Sequence, residues 1–492
     1  MKHIIKSHLA EISAWGLIAS GVLLRVRQFL SFRSLWLDEA MLALNIVERD
    51  FIGLLKPLDY NQGAPVGFLL AEKLIITIFG KGDIQLRLIP LLAGCASLIL
   101  LYLIGKQVLN PPGLITALAL LAISPTLVYY SSEVKQYSSD VFSILVLFWF
   151  ALDVFRTGKL GFQKIVILSV AGVFGLFFSH PTLFVLAAIG TIMFMDIVLK
   201  RDRTGLISTI TIGLIWLLGF GLLYVVSLRN LTGNSYLINY WQDSFSVNLL
   251  DALRNLFRDS AGFKVFLSEL LIMAIIGIIA LFKKNWKISG FIVLVFVFSF
   301  LASRLREYPF AGRMMLFSVP LLVIMLAAAV DWIWYIQLRP RYIFILSATI
   351  LAGLMLYAPL TVSINRFVSP TYIENIRPVM TSMKTKYEPG DMVYVFAFAL
   401  PAYRYYAPLY GLPLDNIVTG ENHNPKKIIS EISPLMGHNR VWLIFSHVNK
   451  NSLSKKGGIL SYLDNNGSRK LRDIDQGTGS NTGVYLYLYD LK

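Results

Sequence analysis

Long apolar runs, each near the roughly 20 residues that a helix needs to cross about 30 Å of hydrocarbon, recur from residue 13 to residue 363 and then stop. They fall at 13–30, 66–80, 85–105, 112–130, 137–155, 163–179, 181–199, 205–228, 265–282, 287–303, 314–336 and 341–363. One of these stretches is a poor span. VGFLLAEKLIITIFG (66–80) is short and holds Glu72 and Lys73 near its middle, a costly placement against lipid. Beyond 363 the pattern changes to a helix-like stretch near 372–387 followed by short β-rich apolar runs, EPGDMVYVFAF, NRVWLIFSHV and GVYLYLYDL, with helix-compatible segments such as LPAYRYYAPLYG between them. The pattern predicts a polytopic α-helical membrane domain over 1–363 and a small α/β domain with a short sheet over 364–492.

Charge orients that architecture. Lys106, then Arg156, Lys159 and Lys164, then Lys200, Arg201 and Arg203, then Lys283, Lys284 and Lys287, then Arg339 and Arg341 recur at every second turn, which the positive-inside rule makes cytoplasmic. With Lys2 and Lys6 also inside, only one full crossing fits between the outer loop after span one and Lys106. Residues 66–80 therefore read as a juxtamembrane or re-entrant helix in an outer loop, 31–84, and 85–105 as the second span. The expectation is about eleven transmembrane helices, a cytoplasmic N-terminus, an extracytoplasmic C-terminal domain and a place in the cell inner (plasma) membrane. The outer face then comprises 31–84, 131–136, 229–264, 304–313 and everything after 363.

Composition agrees: 56% of the 492 residues are hydrophobic and 15% charged, against about 25% charged in soluble domains. The formal charge of +16 sits largely in the orienting loops, so no nucleic-acid partner is read from it. The single cysteine, Cys95, lies inside an apolar run and excludes an intrachain disulfide or a CxxC metal cluster. Residues 1–12 lead into the first span without an A-x-A cleavage site, as a retained helix does.

Three outer-face clusters carry candidate chemistry. Asp38 and Glu39 follow span one in FRSLWLDEAMLALNIVERD, where an apolar surround can tune a carboxylate toward general-base work. A short connector between spans three and four, YYSSEVKQY, holds Glu133, Lys135, Gln136 and Tyr137, charges that are costly there unless they face a polar cavity or a ligand. SRLREYPFAGRMM places Arg304, Arg306 and Arg313 with Tyr308 on the face that orientation rules keep poor in positive charge, which points to a bound anion such as a phosphate at the bilayer surface. His180, before Pro181, reads as a structural turn residue.

The DE pair after span one, NQGAPVGFLLAEKL in the same loop, RLIP before span two, and YYSSEVKQY after span three resemble the GT-C superfamily of membrane glycosyltransferases. The nearest likeness is to bacterial relatives of protein O-mannosyltransferases and lipid A aminoarabinose transferases, covering about 10–200 and, later, REYPFAGRMMLFSVPLL. The resemblance implies that Asp38 is the catalytic base with Glu39 beside it, that Glu133 shares the cavity, and that helices of the first outer loop frame the site. The chain departs from the mannosyltransferases at Gly63-Ala64-Pro65, where they carry His-Pro-Pro.

The implied donor is a sugar on a polyprenyl phosphate, transferred by inverting displacement to an acceptor hydroxyl on a glycan, lipid or protein. Asp38 would take the proton, and Arg304, Arg306 or Arg313, with Lys135 and Tyr308, would hold the phosphate. Gln62, Gln136, Tyr137, Tyr403 and Arg404 are candidate cavity or acceptor contacts. No cofactor is required and no metal ligand is assigned, because arginines can meet the charge of a phosphodiester. The alternative is a lipid-linked sugar transporter or a polysaccharide polymerase-type membrane protein, but the notable charges lie in outer loops rather than at span midpoints.

Overall fold

The computed structural model describes residues 2–492 apart from 247, 264, 416, 422–423, 450–452, 454–457 and 477–481. Two compact units divide the chain. The first comprises Met1–Leu30, Asp50–Gly80 and Arg87–Val368, and the second Ser31–Arg49, Lys81–Leu86 and Ser369–Lys492. This differs from a single cut at residue 363, because two pieces of the first outer loop group with the C-terminal part. The piece 31–49 includes both Asp38 and Glu39.

Eight helices among the described residues are long and apolar enough to cross a membrane: His8–Phe29, Gln85–Val108, Tyr137–Thr157, Thr182–Lys200, Arg203–Thr232, Trp286–Arg304, Gly312–Trp334 and Arg341–Val368. The other three predicted stretches are helical as well. Pro111–Ala122 and Phe162–Phe178 are 12 and 17 residues long, and Leu267–Lys284 carries Glu269, Lys283 and Lys284. The stretch 112–130 is not one helix but two, Pro111–Ala122 and Pro125–Tyr130. Pro125 has no N–H to continue the ladder, and carbonyls around the break find side-chain donors, as they must away from water. The Ser363 hydroxyl donates to Ile123 at 2.5 Å and the Arg366 guanidinium to Pro125 at 2.6 Å.

The short helix 111–122 is held at both ends. The Asp331 carboxylate accepts the Asn110 N–H at 2.7 Å and the Gly113 N–H at 3.2 Å, where unpaired amides and the helix dipole favour an anion. At the other end the buried Arg25 guanidinium donates to the Leu121 and Ala122 carbonyls at 3.1 and 3.2 Å. Glycines set the closest helix approaches. A Cβ on Gly277 would stand 1.8 Å from the Met325 carbonyl oxygen, and one on Gly67 would meet the Phe178 ring at 2.6 Å.

Gly67 belongs to the helix Val66–Phe79, the weak stretch of the sequence. Its fourteen residues are too few for a full crossing, and Glu72 is turned into protein rather than lipid, fully buried. Burial raises the Glu72 pKa well above the ordinary carboxylate value, which favours the protonated form.

The second unit is built on a five-stranded sheet, β1 Met392–Val395, β2 Ile417–Thr419, β3 Val441–Asn449, β4 Ser468–Gln476 and β5 Thr482–Asp490, in the order β2-β1-β3-β5-β4. β1 runs parallel to β2 and β3, and β5 antiparallel to β3 and β4. The three apolar runs of the sequence are β1, β3 and β5, the central strands. β2 and β4 escaped the reading because β2 has three residues and β4, SRKLRDIDQ, is charged, as an edge strand that resists further pairing should be. Helices Arg377–Lys386, Leu400–Tyr410, Pro425–Ile432 and Ile459–Asn466 complete the α/β layer.

Candidate active site

Within the second unit the DE pair opens the helix Leu37–Glu48, and its two acids are treated differently. Glu39 is fully buried, takes both Arg33 nitrogens at 2.5 and 3.3 Å, and accepts the Trp36 N–H at 3.4 Å. It therefore caps the helix and neutralises a buried arginine. Asp38, one residue earlier, is half-exposed. Of the two carboxylates it is the one that solvent or a substrate can reach.

The loop before this helix is tied to the C-terminal segment. The Ser34 N–H donates to Asn375 Oδ1 at 3.3 Å, and the Leu35 N–H to the Tyr406 hydroxyl at 2.8 Å. Asp83 accepts from Arg377 at 2.7 Å and from Tyr406. Glu374, nearly buried, accepts the Leu37 N–H at 3.3 Å and meets His447 Nδ1 at 2.6 Å. Arg33, Glu374 and His447 were not singled out from the sequence. No local spacing signals them, since their partners are defined by the fold.

Within the first unit the connector between helices 125–130 and 137–157 is buried throughout. Glu133 is inaccessible, and Lys135 donates to Gln62 Oε1 at 2.6 Å. Gln136 and Tyr137 are buried beside them. The three arginines separate: Arg304 and Arg306 are exposed, whereas Arg313 is half-buried with its guanidinium 5.9 Å from the Tyr137 ring centre. Tyr308 donates to the Met314 carbonyl at 2.8 Å and packs edge-on against Phe184 and Phe317, so its hydroxyl is already used within its own loop. Burial pushes its pKa well up, with the Asp140 and Tyr137 charges adding. His180 is a turn residue between helices, and burial lowers its pKa to about 4.

The candidate acceptor pair on helix 400–410 also separates. Tyr403 is fully buried and donates to the Pro413 carbonyl at 2.7 Å, a packing role, while Arg404 is exposed.

Residues 62–218 match the family model described as dolichyl-phosphate-mannose-protein mannosyltransferase, a span that includes Gln62, Glu133 and Lys135 but not Asp38. No curated protein matches the chain by sequence. Among solved structures the chain is similar to ArnT from Cupriavidus metallidurans bound to undecaprenyl phosphate, at 12% identity and a TM-score of 0.55, with 96% of each chain covered. It is also similar to the archaeal oligosaccharyltransferase AglB from Archaeoglobus fulgidus in complex with an inhibitory peptide and a dolichol-phosphate, at 12% identity and a TM-score of 0.52, covering 87% of this chain and 69% of that one. The apo Archaeoglobus fulgidus oligosaccharyltransferase matches at 12% identity and a TM-score of 0.56, over 99% of this chain and 75% of that one.

The chain is a multi-pass membrane protein of the GT-C fold. The fold agrees with the one that the sequence resemblance implies, and the family model matches within the first 218 residues. The DE helix lies outside the matched region and in the second compact unit, whereas the matched region, Lys81–Leu86 apart, lies in the first.

Proposed function

We propose that the chain is a glycosyltransferase that moves a sugar from a polyprenyl phosphate to an acceptor hydroxyl on the extracytoplasmic side of the inner membrane. The observation that carries this reading is the division of labour in the DE pair. Glu39 is consumed by Arg33 and by the helix start, which leaves Asp38 as the accessible carboxylate.

A base at Asp38 takes the proton of the acceptor hydroxyl as its oxygen attacks the anomeric carbon from the face opposite the phosphate. The C–O bond to phosphate breaks, the configuration inverts, and the phosphate leaves as polyprenyl phosphate. Arg313, half-buried on the aromatic face of Tyr137, is the arginine best suited to meet the leaving charge, with Lys135 as the second cation. Two relatives of the same fold were solved with undecaprenyl phosphate and with a dolichol-phosphate, which supports a lipid phosphate as the donor class. Eleven crossings, with the N-terminus inside, remain the proposed topology.

Purified protein in detergent, given a panel of undecaprenyl phosphate sugars and cell-envelope acceptors, should release undecaprenyl phosphate with one of them. Asp38→Asn should abolish this release while donor binding persists; undiminished release from the variant overturns the assignment. An alkaline phosphatase fusion after Lys492 should be active, and an inactive fusion overturns the orientation.

A further inference from the structure

His447 stands at an irregular place in β3. The register between β3 and β5 shifts between Phe445 and Val448, and His447 in that bulge takes φ +60°. Bulges re-aim side chains, and a positive φ is uncommon for any residue other than glycine. Here the surroundings are specific. The imidazole is stacked on Trp36 with centroids 6.4 Å apart, meets Phe398 edge-on at 5.5 Å, and has Nδ1 2.6 Å from Glu374 Oε1.

Glu374 is 3% exposed, and its other oxygen accepts the Ser446 hydroxyl at 3.2 Å and the Leu37 N–H at 3.3 Å. One carboxylate thus ties the imidazole to the first turn of the Asp38 helix. The charged groups facing His447 are Glu374, from the segment before helix 377–386, and Asp38, from its own helix. Arg33, from the loop before that helix, and Glu39 neutralise one another, and Trp36 and Phe398 bring no charge. The hydrogen bond to Glu374 raises the His447 pKa against the effect of burial, and the charges of Glu374 and Asp38 add to the rise. Coupling between two titrating groups is reciprocal, so an imidazolium that Asp38 stabilises also stabilises the Asp38 carboxylate.

We propose that His447 and Glu374 are positioning residues for Asp38: the single Glu374 carboxylate fixes both the imidazole and the helix turn that carries Asp38, so that the ring and the Asp38 carboxylate act on one another. The C-terminal domain then takes part in setting up the base. This rests on the reading of Asp38 as that base.

Two measurements test it on the full-length protein. In the first, the rate of undecaprenyl phosphate release is followed against pH. His447→Gln should move the acid limb to higher pH and lower kcat more than it changes KM for the donor, and Glu374→Gln should move the limb the same way by less. A purely structural role lowers the rate without moving the limb.

In the second, the histidines of labelled protein in detergent are titrated by NMR, with the His447 resonance assigned by its loss in His447→Gln. Asp38→Asn and Glu374→Gln should each shift the His447 titration to lower pH, an outcome that needs no turnover. An unmoved acid limb in His447→Gln together with an unmoved His447 titration in Asp38→Asn overturns the proposal. If instead the titrations are coupled but Asp38→Asn turns over at the wild-type rate, the coupling stands and the base assignment is what fails.

Discussion

The buried carboxylates of the C-terminal unit and those among the membrane helices are satisfied by different means. In the C-terminal unit each buried acid described above has a named donor. Glu39 has Arg33, Glu374 has His447 and the Leu37 N–H, and Asp83 has Arg377 and Tyr406. Among the helices, both Glu72 oxygens and Asp140 Oδ1 are buried with no hydrogen-bond partner among the described residues.

Helix interiors have no free N–H groups to offer, whereas loops and strand ends do. Asp331 follows the same logic, since the amides that it accepts stand at a helix start. Acids in the sheet unit are therefore fixed by named donors, which suits a base, while burial of an acid such as Glu72 favours its protonated form.

The largest expected effect would sharpen this contrast within a single dipeptide. Asp38→Asn should lower turnover by about 10² to 10⁴ with the melting temperature unchanged, the range attributed to a general base. Glu39→Gln should instead be read in unfolding, because removing one partner of a buried pair strands the other charge at a cost of about 3 to 5 kcal/mol. Equal behaviour of the two variants in both assays would break the division of roles.

Next in size is the phosphate grip. Arg313→Lys should weaken donor use at subsaturating concentration by about tenfold to a hundredfold, the equivalent of about 1.5 to 3 kcal/mol for a charge-assisted contact that needs the planar guanidinium. The exposed Arg304 and Arg306 should tolerate the same change. If they do not, and Arg313→Lys is silent, the anion site lies on the rim.

A smaller effect tests burial at the helix ends. With its folded pKa lowered from 6.5 to about 4, His180 is held neutral while the unfolded chain takes up a proton. Stability from this group is present above pH 6.5 and is lost as pH falls toward about 4, so His180→Asn should flatten the acid side of a thermal-stability profile. The smallest change is Glu72→Gln. Since the folded carboxyl keeps its proton above the ordinary carboxylate range, stability from this site declines as pH rises. The neutral isostere should melt at or slightly above the wild-type temperature at pH 7, and a marked loss would mean that the carboxylate is ionised and paired.

Hydrophobic runs and basic loops, both local properties of the chain, determined that this is a helical membrane protein with a β-containing C-terminal part, and the DE pair and YYSSEVKQY marked where chemistry concentrates. Local pattern also carried the break at Pro125, which a reading by run length passed over. Only the tertiary structure decided that Glu39 belongs to Arg33 and leaves Asp38 accessible, that Arg313 rather than its two neighbours lies on an aromatic face, and that Tyr403 and Tyr308 use their hydroxyls internally. It also joined the loop 31–49 to the C-terminal domain, through contacts such as Leu37 with Glu374, 337 positions apart. The reason is physical. Burial of an apolar run follows from its own composition, whereas the partner of a polar side chain is fixed by which distant groups the fold brings within about 3 Å, and no spacing along the chain records that.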